Sequence, residues 1–271
     1  MKTPLTYYGG KQKLAPIILE LIPSHTLYAE VFAGGAAVFF AKRPSTVEVL
    51  NDMNGELVNF YRVIKDDFLL LQQEISMTLH SRMLHQHAWI VYNYPELFSD
   101  IKRAWAVWIL SSQGFAGQLA GTWGYDIAAD STSRKIYFNK QDFISAYSQR
   151  LEKVQLECRD ALYIIASRDS TETFFYCDPP YFNSDMGHYK GYTKRDFEDL
   201  LSALAKIKGK FLLSSYPSKL LSNFTEQNNW VNMQFEQMVT VNVKSGKEKK
   251  KIEVLTANYP LTKNEYQGTL F

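Results

Sequence analysis

The stretch from Phe174 to Tyr181, which reads FFYCDPPY, is the most informative part of this chain for its fold. This apolar run predicts a buried strand from Thr173 to Cys177, and Asp178 follows at its carboxyl end, where open α/β sheets bind their ligands. Pro179 and Pro180 have no backbone N–H, so nearby carbonyl oxygens remain available as acceptors. Tyr181 adds a flat aromatic face. This combination suits a planar ligand that carries an amino group, such as a nucleobase amine.

Two further apolar runs also end in residues that suit ligand binding. Leu27 to Phe32 is followed by Ala33-Gly34-Gly35, and Thr46 to Leu50 is followed by Asn51-Asp52. The segment after each turn has helical composition. This alternation of strands and helices predicts an α/β fold with a parallel, doubly wound sheet. The other predicted elements are helices at 16–21, 36–42, 55–64 and 195–205, a strand at 210–214, and an antiparallel pair at 234–243 and 251–258.

The middle of the chain, residues 61–157, has a different composition. It is predicted to be mainly helical and is rich in aromatic and basic side chains, and the glycine-rich stretch from Gly114 to Gly124 interrupts it. Helical sequence between two strand–turn motifs is typical of a second domain inserted into an α/β domain. We therefore expect one domain formed by 1–60 and 158–271, and an inserted helical domain formed by 61–157.

Charge, cysteine content and hydropathy narrow the class of protein. The 271 residues carry a formal net charge of only +2, so an anionic partner must be met by a local basic patch. Cys158 and Cys177 lack the spacing of metal ligands, and no metal site is expected. No signal peptide opens the chain and no apolar run is long enough to cross a bilayer. We therefore expect a cytoplasmic protein without membrane contact.

An acidic residue farther along the chain strengthens the interpretation of the glycine pair as a ligand-binding turn. Gly34 and Gly35 alone are equally consistent with a tight structural turn, and Asp52 alone with a helix N-cap. Together, at the ends of two successive predicted strands, they favour an adenosine-containing cofactor whose ribose hydroxyls bind the carboxylate. The third glycine of the dinucleotide fingerprint is missing, because alanine and valine residues follow Gly35.

Near the start, Tyr7-Tyr8-Gly9-Gly10-Lys11 places a flexible turn between an aromatic and a cationic side chain. The simplest interpretation is a loop before the helix predicted at 16–21. Beside a zwitterionic cofactor, Lys11 would pair with a carboxylate, and Tyr7 would pack on the sulfonium or carboxyl end.

Four motifs, in this order, resemble those of the Dam-like (D12 class, α-group) DNA adenine-N6 methyltransferases. They are Tyr-x-Gly-x-Lys at 7–11, Glu30 to Gly35, Asn51-Asp52, and Asp178 to Tyr181. The resemblance implies a Rossmann-like methyltransferase sheet that binds S-adenosylmethionine, with a helical target-recognition domain between the cofactor loop and the tetrapeptide. It also implies double-stranded DNA as the partner, and it leaves open a cognate restriction nuclease and the oligomeric state.

The resemblance also implies roles for individual residues. Asp160, in a segment similar to the family's adenine-side loop, would lie beside the adenine of the cofactor, and Ser214-Ser215-Tyr216 loosely resembles a motif near the target base. The residues expected to bind the cofactor are Tyr7, Lys11, Glu30, Phe32, Gly34, Gly35, Asp52, Asp160 and Asp178, and those expected to act on the target base are Asp178, Pro179, Pro180 and Tyr181.

The chemistry of such a site follows from the target amine. The exocyclic amine of adenine is a weak nucleophile, because its lone pair is delocalised into the ring. Accepting its two N–H bonds at Asp178 and at the Pro179 carbonyl would localise that lone pair, and Tyr181 would stack on the flipped base. The methyl group of a sulfonium is already activated, so alignment accounts for much of the remaining acceleration.

Two other features bear on contact with DNA. Five lysines between 244 and 251 form a dense basic run, which is either a solvated hairpin tip or a source of phosphate contacts. Most aromatic residues of the middle segment are expected in its core. Phe115 and Trp123, which lie among glycines, are better candidates for contacting bases.

Three alternative functions are open on the residues alone. An amino methyltransferase of the same fold would act on cytosine N4, RNA or a protein amide. Aspartate at position 178 disfavours protein amides and many RNA substrates, and the large insertion favours duplex DNA. A DNA-binding relative without catalysis is disfavoured by the intact tetrapeptide, and a dinucleotide-dependent dehydrogenase by the missing third glycine.

Overall fold

The computed structural model describes residues 1–183, 191–238 and 250–262. The lysine run at 244–251 lies outside these residues except for the backbone at 250 and 251, so its phosphate contacts stay a prediction. Within the described ranges, no helix is long and apolar enough to cross a membrane. The same ranges hold no cluster of three acidic, histidine or cysteine side chains that could bind a metal ion.

The described chain alternates between strands and helices. The strands are β1 (Leu27–Glu30), β2 (Val47–Asn51), β3 (Gln155–Glu157), β4 (Thr173–Cys177), β5 (Lys210–Ser215), β6 (Val231–Met238) and β7 (Lys250–Ala257). The α-helices are α1 (Ala15–Leu21), α2 (Ala37–Ala41), α3 (Gly55–Asp66), α4 (Phe68–Met77), α5 (Arg82–Asn93), α6 (Asp100–Gln113), α7 (Ser131–Gln141), α8 (Ala146–Leu151), α9 (Ala161–Arg168), α10 (Lys194–Leu204) and α11 (Lys219–Asn228). Short 3-10 helices occupy Lys11–Lys13, Pro95–Leu97 and Phe115–Gly117.

The strands of the described residues form a seven-stranded sheet in the order β3-β2-β1-β4-β5-β7-β6. β2 is parallel to β3, and β4 is parallel to both β1 and β5. β7 is antiparallel to β5 and β6, as the predicted antiparallel pair requires. The predicted α/β fold with a largely parallel sheet is therefore confirmed.

Burial explains why one strand was predicted from the sequence and another was not. β4 has the predicted bounds, and all five of its side chains are buried. β3 was not predicted, because its three side chains are exposed or half-buried and form no apolar run. Its pairing with β2 comes from the tertiary structure rather than from its own composition.

The chain folds into two compact units. The first comprises residues 1–19 and 33–158, and the second comprises residues 20–32 and 159–271. The middle segment 61–157 lies wholly within the first unit, where it forms the second half of α3, all of α4 to α8, and β3. The predicted division into a domain of 1–60 with 158–271 and an inserted domain stays a prediction.

The first unit is built around α6, whose residues from Ala104 to Gln113 are all buried. α6 packs against α3 and α5. A buried ion cluster links α8 to β2, where Glu48 Oε1 accepts a hydrogen bond from Arg150 Nη2 at 2.8 Å and pairs with Lys42 Nζ at 2.5 Å. Burial alone would raise the pKa of Glu48, but its hydrogen bonds and ion pairs with the two cations lower it below its usual range. This cluster holds the end of the middle segment on the sheet.

The second unit carries β1, β4, β5, β7 and β6. Its helix α10 buries one apolar face and begins at a capping box, in which Thr193 and Asp196 satisfy each other's backbone N–H groups. β4 and β5 are buried and mainly apolar in their interiors, and the polar residues Ser214 and Ser215 form the carboxyl end of β5.

Candidate active site

The tetrapeptide from Asp178 to Tyr181 begins directly after β4, in the second unit. Cys177, the last residue of β4, is fully buried, and burial together with the charge of Asp178 raises the pKa of its thiol. Asp178 is half-buried and Pro179 is buried. The carboxylate therefore lies at the carboxyl end of a fully buried strand, the position at which open α/β sheets bind ligands.

The hydroxyl of Tyr181 lies between two carboxylates. Its Oη atom is 3.1 Å from Asp178 Oδ1, and it also hydrogen-bonds to Glu253 Oε1. Glu253 is on β7 and is only 5% exposed. Burial raises the pKa of Tyr181 well above its usual value, and the charges of Asp178 and Glu253 raise it further. Tyr181 therefore remains a neutral hydrogen-bond donor, and Glu253 joins the site without any signal in the sequence that predicted it.

The segment after β5 contributes to the same surroundings. The rings of Tyr216 and Tyr181 have centroids 4.3 Å apart and planes inclined at 58°. The hydroxyl of Ser214, on β5, lies 3.0 Å from that of Tyr176 on β4. The structure thus brings the loosely matched segment 214–216 together with the tetrapeptide.

Glu30 is the last residue of β1, and Phe32 follows two residues later, also in the second unit. Glu30 is only 2% exposed, and its Oε2 atom accepts a hydrogen bond from Tyr28 Oη at 2.6 Å. Phe32 is half-buried and meets the ring of Tyr192 edge-on, with centroids 6.4 Å apart. Glu30 is therefore a buried acceptor, whereas Phe32 offers an apolar face.

Asp160 is exposed and caps α9. Its Oδ1 atom accepts hydrogen bonds from the backbone N–H groups of Leu162 at 2.8 Å and Tyr163 at 3.3 Å. Burial raises the pKa of Tyr192, and the negative charge of Asp160 contributes to that increase. Tyr192 thus contacts Phe32 and is influenced by the charge of Asp160, although nothing in the sequence singled it out.

In the first unit, Tyr7 packs directly on the glycine turn. A Cβ atom at Gly34 would lie 3.0 Å from Tyr7 Cε1, and one at Gly35 would lie 2.7 Å from Tyr7 Cβ. Gly34 also has a φ of +48°, which a residue with a side chain adopts only at a cost. The contact with Tyr7 therefore accounts for both glycines and joins three of the predicted residues.

Asp52 follows β2 and links the glycine turn to the start of α3. Its Oδ2 atom accepts a hydrogen bond from the Gly34 N–H at 2.8 Å, and its Oδ1 atom accepts one from the Asn54 N–H at 2.8 Å. Burial raises the pKa of Asp52, and these two hydrogen bonds oppose that shift in part. The predicted association of Asp52 with the glycines is thus a direct contact.

Two tyrosines of the first unit that were not predicted contact this region, one at the glycine turn and one at the start of α3. Tyr61, on α3, donates a hydrogen bond from its Oη atom to the Gly34 carbonyl at 2.7 Å. Asn54 donates from its Nδ2 atom to Tyr92 Oη at 2.8 Å. Both tyrosines lie on helices, where an aromatic residue in an apolar pattern indicates core packing, so sequence spacing alone does not reveal such contacts.

Lys11 is only 7% exposed, and its Nζ atom donates a hydrogen bond to the Gly9 carbonyl at 3.0 Å. The neighbouring Tyr8 N–H donates to the Gly117 carbonyl at 3.2 Å. A Cβ atom at Gly117, where φ is +73°, would lie 2.8 Å from Thr6 O. The N-terminal turn therefore packs against the glycine-rich stretch of the middle segment, a contact within the first unit that the sequence did not predict.

The two aromatic residues proposed to contact bases differ in exposure. Phe115 is 55% exposed. Trp123 is half-buried and stacks on Tyr125, with centroids 5.5 Å apart, and the Arg82 guanidinium carbon lies 4.6 Å from the Trp123 ring centroid. Tyr125 is 54% exposed and Arg82 is exposed as well. Neighbours thus cover part of the Trp123 ring, whereas Phe115, Tyr125 and Arg82 present more of their surface.

Comparison with known proteins places this chain in a family. Residues 7–252 match the family described as D12 class N6 adenine-specific DNA methyltransferase. Type II methyltransferase M1.LlaDCHI from Lactococcus lactis subsp. cremoris is 25% identical, over 93% of this chain and 93% of its own length. Type II methyltransferase M.MjaIII from Methanocaldococcus jannaschii is 26% identical, over 96% of this chain and 99% of its own length. A DNA adenine methylase from Vibrio cholerae is 26% identical, over 81% of this chain and 80% of its own length.

Solved structures resemble this chain more distantly. The alignment with an S-adenosylmethionine-dependent O-methyltransferase from Thermotoga maritima covers 91% of this chain and 63% of that protein. The two are 10% identical, and the TM-score is 0.35. A superposition at that score adds no support, so the assignment rests on the sequence match over nearly the whole chain. This chain belongs to the D12 class of N6 adenine-specific DNA methyltransferases, enzymes that use S-adenosylmethionine as the methyl donor.

Proposed function

We propose that this protein is a site-specific methyltransferase that flips an adenine out of duplex DNA and methylates its N6 amine. The observation that carries the proposal is the tetrapeptide at the end of β4, where a half-buried carboxylate and an aromatic ring follow a fully buried strand. A base within a duplex is paired and stacked, so an enzyme that acts on its amine must first expose it.

We assign the target amine to the residues after β4. Asp178 and the Pro179 carbonyl would each accept one N–H of the amine, which draws the nitrogen towards tetrahedral geometry and localises its lone pair. Pro180 would stiffen the turn through its fixed φ. The Tyr181 ring would stack on the flipped base. These groups act by accepting hydrogen bonds and by packing, so their positions matter more than their acidity.

We assign S-adenosylmethionine, which supplies an activated methyl group when bound, to the remaining predicted residues. In the first unit, Asp52 would accept hydrogen bonds from ribose hydroxyls, since each carboxylate oxygen can accept more than the one backbone hydrogen bond described above. Lys11 provides a cation for a carboxylate, and Tyr7 provides an aromatic face. The residues proposed to complete cofactor binding are Gly34 and Gly35 in the first unit, and Glu30, Phe32, Asp160 and Asp178 in the second.

We assign recognition of the DNA sequence to the middle segment 61–157. Phe115, Tyr125 and Arg82 support this assignment, because exposed aromatic and guanidinium groups suit stacking on bases and pairing with phosphates. The names of two relatives as type II methyltransferases support a cognate restriction nuclease as a partner. We also propose that the enzyme acts in the cytoplasm.

The reaction can be tested with the purified protein, tritiated S-adenosylmethionine and duplex DNA. We expect label in the DNA, and digestion to nucleosides should place it in N6-methyladenine. Label in N4-methylcytosine would show that the target base is wrong. Sequencing of the methylated DNA for modified bases would then give the recognition sequence, and label spread over all adenines would contradict site specificity.

Exchange of the middle segment should change the recognised sequence. The structure favours an exchange of residues 67–145 with those of a relative of different specificity, because α3 ends at residue 66 and α8, with its Arg150–Glu48 pair, begins at residue 146. We expect the chimaera to methylate the target of the donor protein and to bind S-adenosylmethionine about as well as the wild type. A folded chimaera that keeps the original target would contradict the assignment.

A further inference from the structure

Glu253 is a buried acidic residue on β7 that the proposed roles above do not use. It is 5% exposed, and its neighbours Val254 and Leu255 are almost completely buried. A carboxylate in an apolar strand costs free energy unless donors hydrogen-bond to it. Within the second unit, the Tyr181 hydroxyl is such a donor.

The Tyr181 hydroxyl has one proton to donate, and it lies between two carboxylates. It hydrogen-bonds to Glu253 Oε1, and it lies 3.1 Å from Asp178 Oδ1. Glu253 is only 5% exposed, so its carboxylate needs a donor within the protein, whereas Asp178 is half-buried and open to other donors. Burial therefore favours donation of the phenol proton to Glu253 rather than to Asp178.

We propose that Glu253 is a positioning residue for methyl transfer, which holds the Tyr181 proton away from Asp178 so that the Asp178 carboxylate accepts the N–H of the target amine. This inference rests on the proposed function and deepens it. If Glu253 were a weaker acceptor, the Tyr181 hydroxyl would turn towards Asp178 and compete with the amine for the same carboxylate. The Tyr181 ring would keep its contact with Tyr216 in either case, so the effect is on the hydroxyl and not on stacking.

The test compares Glu253→Gln in two backgrounds. Glutamine has nearly the same shape, but its amide oxygen is a weaker acceptor than a carboxylate. In the wild-type background we expect kcat to fall about tenfold with little change in KM for DNA, because the Tyr181 hydroxyl would compete with the reacting amine for Asp178. Since Asp178 is also a proposed cofactor contact, the affinity for S-adenosylmethionine is measured alongside. Tyr181→Phe keeps the ring and removes the competing hydroxyl. In that background Glu253→Gln should change kcat by less than about twofold.

The outcomes separate this role from a structural one. A merely structural Glu253 would give the same loss of kcat in both backgrounds, and that result would overturn the proposal, as would an unchanged kcat for Glu253→Gln alone. Thermal denaturation and cofactor binding show whether each variant is folded. If Glu253→Gln does not fold, Glu253→Asp, which retracts the acceptor by one methylene, is compared in the same two backgrounds with the same expectation. Failure of the wild type to methylate adenine would contradict the proposed function itself, whereas an active wild type with equal losses contradicts only the role of Glu253.

Discussion

Replacing Asp178 with alanine should reduce turnover by about a hundredfold to ten-thousandfold, the range found when a preorganised acceptor or general base is lost. The physical reason is that the target amine would lose an acceptor for one of its N–H bonds and its lone pair would stay delocalised. Turnover is measured with tritiated S-adenosylmethionine on duplex DNA, and cofactor affinity is measured by calorimetry in parallel because Asp178 is also a proposed cofactor contact. Nearly wild-type turnover in the folded variant would remove Asp178 from the chemistry.

Two control variants sharpen this experiment. Asp178→Asn keeps one acceptor oxygen, so it should lose less activity than the alanine variant if hydrogen-bond acceptance is the main role, and equally much if the charge is essential. Asp169 offers a matched carboxylate before β4, where its oxygens accept from the backbone N–H groups of Lys208 and Gly209 at 2.9 Å. Asp169→Ala should lower the melting temperature but leave turnover of the folded enzyme within about twofold. A large loss of turnover there would mean that general loosening of the second unit accounts for the effect at Asp178.

Replacing Asp52 with alanine should weaken binding of S-adenosylmethionine by about tenfold to a hundredfold, equivalent to roughly 1.5–3 kcal/mol for a hydrogen bond to a charged group. The proposed cause is the loss of the acceptor for the ribose hydroxyls. Calorimetry on the folded variant gives the affinity directly. An unchanged dissociation constant would exclude Asp52 from the cofactor site.

The structure shows why this variant needs a control. Asp52 also accepts a hydrogen bond from the Gly34 N–H, so the alanine variant loosens the glycine turn as well. Tyr61→Phe removes the 2.7 Å hydrogen bond from Tyr61 to the Gly34 carbonyl and loosens the same turn without touching Asp52. We expect Tyr61→Phe to weaken cofactor binding much less than Asp52→Ala. Equal losses would mean that Asp52 acts through the turn and not through the cofactor.

The pKa of Asp52 predicts a pH dependence for the same affinity. Burial raises this pKa above the usual value of an aspartate. Only the ionised carboxylate is a full acceptor, so affinity should be complete above the raised pKa and should fall as pH decreases through it. The decline should therefore begin at a less acidic pH than for an ordinary exposed aspartate, and it should be absent in Asp52→Asn. Calorimetric titrations across that range, in buffers of matched ionic strength, provide the measurement.

Local sequence was sufficient wherever a feature is encoded by neighbouring residues. The apolar run at 173–177 predicts β4 because a buried strand needs consecutive apolar side chains, and Asp178 is visible as the polar residue that ends it. The glycines at 34 and 35 and the acid at 52 are visible for a similar reason, since each follows a strand. The alternation of such strands with helices also predicts the α/β class, and the order of the motifs indicates the family.

Tertiary structure decided the contacts between residues that are far apart in the chain. Glu253 lies 72 residues from Tyr181, and Tyr61 lies 27 residues from Gly34, so no periodicity of helix or strand relates the members of either pair. β3 was likewise invisible, because its half-exposed residues become a strand only by pairing with β2. The sequence alone therefore determined which residues end the strands and which chemistry they offer. Only the folded chain decided which distant hydroxyl and carboxylate groups form hydrogen bonds with these residues. Each buried polar group needs a hydrogen-bond partner, and the packing of the chain, not distance along the sequence, selects that partner.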